Sequence, residues 1–469
     1  MQIAKKQAIG KKSLHIKIVH HSIPHKILYF VNKLLAFFRI IRYNMSVMQN
    51  IPVNYKNKKL YNTGKTPIRQ PIYLTWLIWV LSKFALMGKK YKVEKINMDG
   101  LKPPYMILSN HMSFIDFELT ATGTYPHRVN NVVNVDGYFR RPWLMEWIGS
   151  VCTRKFTTDI QLVKSIRRVL KRGDILCLYP EARYSPCGTT SYLPESLGKI
   201  VKMNKTPIVA VVHHGNYLFS PFWNFRKKRK VPFHTTMKQI LTTEDIEKMS
   251  VNEINAVIQK ELQYDEYRYQ KENGILIKEP FRAEGLHRIL YQCPHCKTES
   301  KMDSKDTELF CTACGKRWQM NEDGSLSALN GETEFSHIPD WFEWEREQVR
   351  KQVESGEYRY EDEVDVHSLP RCWNFVPLGK AKLTHDPENG FILEGHYNGS
   401  DYRIQRTPLE INSLHVEYDY FRIKRADCLD ISTEKDSFYC YPSQENVVTK
   451  LAFATEEIFQ RKQRETQKK

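Results

Sequence analysis

The first 93 residues of this 469-residue chain contain no aspartate and no glutamate, although they contain 18 Lys and Arg residues. The rest of the chain carries 53 basic and 53 acidic side chains, so the formal net charge of +18 belongs entirely to the N-terminal fifth. Affinity for nucleic acid depends on neutralising phosphates. The neutral remainder therefore argues against nucleic acid as a partner, and the basic segment needs another explanation.

The sequence also lacks an apolar run long enough to cross a bilayer, which takes about 20 residues. The longest candidate, residues 71–88, is interrupted by Lys83, and no small-residue cleavage site of a secretory signal follows a short apolar core. Residues 25–42 place apolar side chains on one helical face and Lys and Arg off it, which is typical of helices that lie on anionic lipid. We expect residues 1–93 to be a membrane-association arm. The alternative is a pair of core helices with a solvated basic face.

A chain of this length predicts two or three domains. Residues 94–265 alternate short apolar runs with helical stretches, which predicts an α/β sheet domain. A cysteine cluster follows within 288–330, and a charged helix is expected over 338–356, capped by Asp340. Alternating runs over 368–469 predict a small β-rich domain with a closing helix. Within the first domain we expect four strands, one helix that begins after Asp159, and one acidic helix: 105–109, 130–136, 174–180, 207–214, 159–173 and 243–261.

The stretch "ILSNHMSFIDFEL" (107–119) contains His111 five positions before Asp116. On one continuous helix this spacing turns about 500°, so the two side chains would not face each other. They can meet if the histidine lies in a loop and the carboxylate lies in the first helical turn, with Ser113 as N-cap. Asp116 would then hold Nδ1 of His111 and leave Nε2 free to accept a proton. The alternative is a capped turn without catalytic function.

Three further segments carry polar residues that suit a phosphate. "YPEARYS" (179–185) offers Glu181 and Arg183 after a strand, and "GSVCTRK" (149–155) offers Arg154 and Lys155. "TPIVAVV" (206–212) is an apolar strand that begins with a proline. Each segment alone is also compatible with an ordinary basic loop or a buried strand.

In this order and spacing, the segments resemble the four blocks of the glycerolipid acyltransferase family, in particular the lysophosphatidate acyltransferases. "NHMSFID" matches the N-H-x4-D block in full at Asn110, His111 and Asp116. "GSVCTRK" matches the G-x-x-F-I-x-R block in outline, with Gly149 aligned and Lys155 in place of the arginine. The resemblance covers roughly residues 70–265.

The other two blocks depart further from the family pattern. "YPEARYS" keeps the proline, glutamate and serine of F-P-E-G-T-R-S, but it has Ala182 in place of the glycine. Its arginine, Arg183, is one place early, and Tyr184 stands at the usual position. The fourth block, V-P-I-V-P-V, keeps Pro207 and loses its second proline to Ala210. These departures concern the geometry around the acceptor phosphate.

The resemblance implies acyl transfer from an acyl-carrier-protein or acyl-CoA thioester to the hydroxyl of lysophosphatidate, without an acyl-enzyme. It implies that His111 is the general base and that Asp116 orients it. Glu181, with Arg183 and either Arg154 or Lys155, would set the acceptor phosphate. Asn110 and Gly149 belong to the same substrate-binding set. His213 and His214 are rival bases, although neither has a carboxylate nearby in sequence.

Two CxxC pairs separated by 14 residues predict a structural zinc ribbon with four thiolate ligands, and no catalytic metal: Cys293, Cys296, Cys311 and Cys314. A redox disulfide pair and a rubredoxin-like iron site are the alternatives. The other cysteines are scattered and expected to be reduced, which favours the cytoplasmic face of the cell membrane. Zinc ribbons often bind nucleic acid, so a second hypothesis is a nucleic-acid- or protein-binding ribbon with a degenerate acyltransferase-like domain. A third makes the C-terminal half a docking device for acyl-carrier protein.

Overall fold

The computed structural model describes residues 61–157, 159–370, 374–434 and 436–467. The first region of the chain alternates strands and helices, as its apolar periodicity predicts. Its elements are α1 (Ile72–Ala85), β1 (Tyr91–Ile96), β2 (Met106–Ser109), α2 (Asp116–Thr124), β3 (Val129–Asn134), α3 (Pro142–Trp147), β4 (Val151–Thr153), α4 (Ile160–Lys171), β5 (Ile175–Leu178), α5 (Ser196–Asn204), β6 (Ile208–His214), α6 (Asn216–Phe219), β7 (Phe233–Leu241), α7 (Thr243–Lys248), α8 (Val251–Leu262) and α9 (Glu266–Glu272).

The strands of this region form one seven-stranded mixed sheet in the order β1-β7-β6-β2-β5-β3-β4. Strands β6, β2, β5, β3 and β4 run parallel, and β7 pairs antiparallel with β6. The central strand β2 is buried along its whole length, as expected of an apolar strand covered on both faces. The mixed α/β class predicted from the sequence is confirmed.

Because the parallel strands all run in the same direction, the sequence motifs that follow them meet at one edge of the sheet. The segments that hold His111, Glu181 and Lys155 each follow the carboxyl end of a parallel strand, namely β2, β5 and β4. Carboxyl ends of parallel strands lie at one edge of a sheet, where open α/β sheets bind their ligands. The topology therefore brings segments that are 70 residues apart in sequence to one edge.

Helix boundaries agree with the sequence signals in one case and differ in two. Helix α4 begins after Asp159, whose side chain accepts a hydrogen bond from Leu162 N. The acidic helix predicted over 243–261 is instead two helices, because Ser250 begins a second capping box with Glu253. The helix predicted over 338–356 spans Ile338–Ser355; its N-cap is His337, and Asp340 lies inside the first turn rather than at the cap.

The cysteine-containing region forms a four-stranded antiparallel sheet in the order β11-β10-β9-β8. It packs against the connecting helix, where the Trp318 and Trp341 rings meet with centroids 4.9 Å apart. The indole of Trp341 donates to Gln292 O at 3.0 Å, just before the first cysteine. Its elements are β8 (Met302–Lys305), β9 (Glu308–Cys311), β10 (Arg317–Met320), β11 (Leu326–Ala328) and α10 (Ile338–Ser355).

A second seven-stranded sheet, entirely antiparallel, follows in the order β15-β14-β13-β12-β18-β17-β16 and is closed by a C-terminal helix. It begins at Tyr360, eight residues before the boundary expected from the sequence. One continuous apolar core joins it to the cysteine region, the connecting helix and part of the first sheet domain. Its elements are β12 (Tyr360–Ser368), β13 (Val376–Asp386), β14 (Gly390–Tyr397), β15 (Ser400–Arg406), β16 (His415–Tyr420), β17 (Ala426–Ser432), β18 (Ser437–Pro442) and α11 (Val448–Gln467).

The predicted amphipathic helix over 25–42 lies outside the described residues. Helix α1 falls within the second predicted segment, begins after Pro71 and is followed by Gly88 in the left-handed region. Within the described ranges, no helix combines the length and the apolar character that crossing a membrane requires.

Candidate active site

The histidine and the carboxylate of "NHMSFID" are in direct contact. Nδ1 of His111 lies 3.0 Å from Oδ2 of Asp116, and no described residue hydrogen-bonds to Nε2. The histidine lies in the loop after β2, and Asp116 is the first residue of α2. The five-residue spacing is therefore bridged across a strand-to-helix turn, as the helical-wheel argument requires.

Asp116 is fixed by more than the histidine. Its Oδ2 also accepts hydrogen bonds from the backbone N–H groups of Met112 at 2.7 Å and Ser113 at 3.1 Å. Its Oδ1 accepts one from the amide of Asn216 at 2.6 Å. Burial alone would raise the pKa of Asp116, but the hydrogen bond from His111 and nearby positive charge hold it below its ordinary value. The carboxylate therefore stays ionised and rigid.

The predicted N-cap role of Ser113 is wrong. Helix α2 begins at Asp116 without a side-chain cap, and the Ser113 hydroxyl makes no hydrogen bond to a described residue. Only one of the two hydrogen bonds of a capping box forms, in which the N–H of Ser113 donates to the carboxylate of Asp116. The carboxylate is the better acceptor for several convergent N–H groups because it is charged.

The "YPEARYS" loop holds the main chain of His111 on both sides. Oε1 of Glu181 accepts a hydrogen bond from His111 N at 3.4 Å, and Ser185 N donates to His111 O at 2.8 Å. Oε2 of Glu181 accepts a second bond from Ser191 N at 2.9 Å. Burial raises the pKa of Glu181 to about 7. Glu181 therefore fixes the backbone of the loop that contains His111.

The same loop contains a residue with a Cβ in a backbone conformation that favours glycine. Ala182 has φ of +55°, in the left-handed region that disfavours a side chain with Cβ. An L-residue there costs roughly 1–2 kcal/mol. The loop conformation that presents Glu181 is therefore retained at the expense of local strain.

Two tyrosine rings enclose the imidazole of His111. The ring centroids of Tyr179 and Tyr184 lie 4.0 and 3.9 Å from it. Burial lowers the pKa of His111, although the adjacent Asp116 carboxylate opposes this effect. The imidazole is therefore mainly neutral near pH 7, the form in which it can accept a proton.

His111 faces a cavity of about 1170 Å³, large enough for a lipid-sized ligand. Most of its lining is apolar, and it extends from the histidine past α4 and α5 to the C-terminal sheet domain. Five large apolar side chains of the lining are also exposed to solvent: Phe114, Ile160, Met203, Leu409 and Phe421. The cavity therefore opens between apolar residues.

Among the predicted phosphate ligands, Arg154 and Lys155 line this cavity, and Arg183 does not. Arg183 is buried against α11, where its guanidinium donates to Oε1 of Glu456 at 2.6 Å. Glu456 also pairs with Arg346 of the connecting helix. The arginine that is one place early in its motif therefore links three regions of the fold instead of facing the cavity.

The positions of Asn110 and Gly149 indicate that both residues have structural roles. The Asn110 amide accepts from His213 N at 2.9 Å and donates to His213 O at 3.1 Å, which ties the ends of β2 and β6 together. Gly149 has φ of +74°, and a Cβ there would lie 2.9 Å from Ile68 O. Neither residue lines the cavity.

The rival histidines also lie away from the cavity lining. His213 is fully buried, with its ring nitrogens 3.2 Å from the hydroxyl of Thr120 and 2.9 Å from that of Thr235. His214 stacks on Tyr269 with centroids 4.6 Å apart. Burial lowers the pKa of both histidines to about 4. Both are structural.

The four cysteines of the CxxC pairs converge at one point, with their Sγ atoms all within 4.8 Å of one another. Sγ of Cys293 is 3.8 Å from that of Cys314, and Sγ of Cys296 is 3.7 Å from that of Cys311. These distances are too long for disulfides. Tetrahedral ligands at a Zn–S distance of about 2.3 Å lie about 3.8 Å apart. The cluster could hold one metal ion.

Comparisons with known proteins give likenesses in structure but none in sequence. No protein-family model matches the chain, and no curated protein matches its sequence. A solved structure that it resembles is the 1-acyl-sn-glycerophosphate (LPA) acyltransferase PlsC from Thermotoga maritima, at 16% identity and a TM-score of 0.33. The similarity covers 40% of this chain and 78% of that chain. This likeness does not establish a family for the chain.

Several residues of the site were not expected from the sequence. Asn216 follows β6 in "HHGNY", and Tyr184 was noted only as a departure from the family pattern. Glu417 and Arg422 reach the cavity from the C-terminal sheet domain, more than 260 residues after Lys155. No local sequence pattern indicates a contact over that separation.

Proposed function

We propose that the chain is an acyltransferase that moves a fatty acyl group from an acyl-carrier-protein or acyl-CoA thioester to the free hydroxyl of lysophosphatidate. The observation that carries the proposal is the oriented imidazole of His111 at the wall of a large apolar cavity. The Nδ1 contact with Asp116 leaves Nε2 as the atom available for proton transfer. The apolar lining suits acyl chains.

In the proposed reaction, Nε2 of His111 removes the proton of the acceptor hydroxyl as the oxygen attacks the thioester carbonyl. The C–S bond breaks, and the proton passes to the departing thiolate. Asp116 stabilises the imidazolium that forms between these steps and fixes the ring orientation. Glu181 and the aromatic rings of Tyr179 and Tyr184 position the histidine and reduce its contact with water.

The test of this proposal is acyl transfer by the full chain, with labelled acyl-CoA or acyl-carrier protein as donor and lysophosphatidate as acceptor. We expect labelled phosphatidate from wild type, and a rate about 10²- to 10⁴-fold lower from His111→Ala that retains its folding. A parallel reaction with monoacylglycerol, which lacks the phosphate, asks whether the phosphate is needed. Failure of wild type to transfer from either donor to either acceptor would contradict the proposed reaction.

We also propose that the protein works on the cytoplasmic face of a membrane containing anionic lipid. Helix α1 leaves Ile72, Trp76 and Phe84 exposed, and Phe114 is exposed at the cavity. The excess positive charge of residues 1–93 would add attraction to an anionic surface. Co-sedimentation with anionic vesicles should weaken with salt and with Trp76→Ser, whereas Leu329→Ser, at an exposed position of the cysteine region, should have no effect.

The metal of the four-cysteine cluster is proposed to be one structural zinc ion. The match between the Sγ distances and tetrahedral zinc geometry supports it, and four thiolates leave no open position for catalysis. Elemental analysis should find one zinc per chain. Cys311→Ser should lose it and lower the melting temperature, because binding of a structural metal is part of the folding free energy. Iron in place of zinc would contradict the assignment.

A further inference from the structure

The C-terminal sheet domain contributes polar side chains to the same cavity that His111 faces. Glu417 and Tyr420 lie on β16, and Arg422 lies in the turn that follows. They line the cavity together with Asp136 and Lys155 of the first domain. The cavity therefore has a polar end built by two domains.

Cations and carboxylates are interleaved at this polar end. The guanidinium of Arg422 donates to the backbone carbonyl of Asp136, and it lies 4.0 Å from the Asp136 carboxylate. The ammonium of Lys155 lies 3.2 Å from Nε2 of His415, which is in turn 2.9 Å from Oε1 of Glu417. Arg141 and Arg154 add two further cations to the lining.

The balance of this polar end favours an anion. Four cationic side chains, Arg141, Arg154, Lys155 and Arg422, line it with two carboxylates, Asp136 and Glu417, and Asp430 behind the lining also acts on Lys155. Tyr420 lines the cavity, and its hydroxyl is buried without a hydrogen-bond partner among the described residues, which leaves it available as a donor. Burial raises the pKa of Glu417 to about 7, and it lowers the pKa of Lys155, although the nearby carboxylates oppose the second shift. Interleaved donors of this kind suit a phosphate, which accepts several charge-assisted hydrogen bonds.

We propose that Arg422, Lys155 and Tyr420 form the subsite for the phosphate of the lipid acceptor, so that the C-terminal sheet domain completes the substrate site. This inference rests on the proposed function, which makes the acceptor a lysophosphatidate. Arg422 takes the role of phosphate ligand that the resemblance implies for Arg183, because the guanidinium of Arg183 is paired with Glu456. Lys155 and His111 line the same cavity, so one acceptor molecule can contact both.

The test is equilibrium binding by the full chain in detergent micelles, measured by titration calorimetry with lysophosphatidate and with monoacylglycerol of the same acyl chain. Arg422→Gln should weaken lysophosphatidate binding by roughly 10- to 100-fold, the range for loss of hydrogen bonds to a charged group. It should leave monoacylglycerol binding unchanged. The matched control is Arg425→Gln, because Arg425 is exposed in the same turn and does not line the cavity. This control should bind both lipids like wild type.

Two further variants keep the test decisive if Arg422→Gln fails to fold. Asp136→Asn removes the carboxylate that competes for Arg422, so it should tighten lysophosphatidate binding. Arg422→Lys keeps the charge and should lose less affinity than Arg422→Gln. Equal lysophosphatidate affinity in wild type, Arg422→Gln and Asp136→Asn would overturn the subsite. Arg422-dependent binding of inorganic phosphate, without Arg422-dependent binding of lysophosphatidate, would overturn its assignment to a lipid.

The outcome separates the subsite from the reaction. Arg422-dependent binding of lysophosphatidate by a wild-type protein that transfers no acyl group would contradict the proposed reaction and support the subsite. Acyl transfer to lysophosphatidate with an unchanged KM in Arg422→Gln would support the reaction and contradict the subsite. If both hold, Arg422→Gln should raise KM for lysophosphatidate much more than it lowers kcat, because the residue contacts the phosphate and not the reacting hydroxyl.

Discussion

Two histidine–aspartate pairs with the same five-residue spacing occur in this protein, and they differ in almost everything else. Nδ1 of His111 lies 3.0 Å from Asp116, and Nδ1 of His396 lies 2.8 Å from Asp401. The His111 and Asp116 side chains are 20% and 1% exposed, whereas those of His396 and Asp401 are 63% and 93% exposed. The second pair is a cross-strand neighbour pair of the β14–β15 hairpin.

The difference shows that neither spacing nor a short hydrogen bond makes a candidate active site. Asp116 has additional donors that fix it, and His111 has a loop that holds its backbone and a cavity beside its ring. The hairpin pair has none of these features among the described residues. An exposed ion pair of that kind contributes at most about 1 kcal/mol. The hairpin pair is therefore a natural control for the first.

The largest expected difference between the pairs is in catalysis. His111→Ala should lower kcat for acyl transfer by about 10²- to 10⁴-fold, the usual worth of a positioned general base. His396→Ala should leave kcat and KM unchanged. Initial rates at saturating donor, with circular dichroism to verify folding, provide the measurement. Similar rates for the two variants would remove the distinction drawn here.

Substitution of the carboxylate should also affect kcat in the first pair and not in the second, by a smaller factor than substitution of the histidine. Asp116→Asn should lower kcat by roughly 10- to 100-fold, the range for carboxylates that orient a metal-bound histidine. It should also cost about 1–3 kcal/mol of unfolding free energy, because buried N–H groups lose a charged acceptor. Asp401→Asn should change neither quantity measurably. Urea denaturation and steady-state kinetics on the same preparations test both parts.

The pH dependence of kcat/KM should respond to changes in the first pair and not in the second, and the resulting change in kcat/KM at neutral pH should be less than about tenfold. Since burial lowers the pKa of His111, kcat/KM should rise with pH to a limb whose pKa lies below 6.5. Asp116 raises this pKa, so Asp116→Asn should move the limb to still lower pH. Asp401→Asn should not move it. A limb that shifts upward in Asp116→Asn would contradict the assignment of the titrating group to His111.

The smallest expected difference is in the turns that lie beside the two histidines. Ala182 is strained at φ of +55°, whereas the hairpin turn uses Asn398 and Gly399, at φ of +50° and +78°, which tolerate this region. Ala182→Gly should therefore raise the free energy of unfolding by roughly 0.5–1 kcal/mol, after the entropy cost of glycine. Asn398→Gly should change it by less. A destabilised Ala182→Gly would mean that the methyl group has a packing role.

Local patterns in the sequence predict much of the fold and of the candidate site. The turn between β2 and α2, the cap at Asp159 and the convergence of the four cysteines were predictable because residues within about 20 positions of one another determine them. The break at Ser250 was also readable, since Ser250 and Glu253 have the spacing of a capping box. The apolar periodicity, which continues through Ser250, favours one longer helix and hides this signal.

Long-range pairing was not predictable from the sequence. Arg183 suits a phosphate as well as it suits a carboxylate, and its partner Glu456 is 273 residues away. The position of Arg422 at the cavity depends on how the C-terminal sheet domain packs onto the first domain. Motif resemblance therefore identified the pair at His111 but assigned the phosphate contact to an arginine that is engaged elsewhere.

The most direct test of the central claim is chemical rescue of His111→Ala by imidazole, with His396→Ala as the control. Removal of the ring leaves space between Tyr179 and Tyr184, where neutral imidazole can replace the base. If His111 is the general base, imidazole should restore part of the lost transfer rate, the effect should saturate, and it should follow the neutral fraction of imidazole as pH changes. A folded His111→Ala that keeps the wild-type rate, or that still binds lysophosphatidate and gains no activity from imidazole, would contradict the role of His111 as general base.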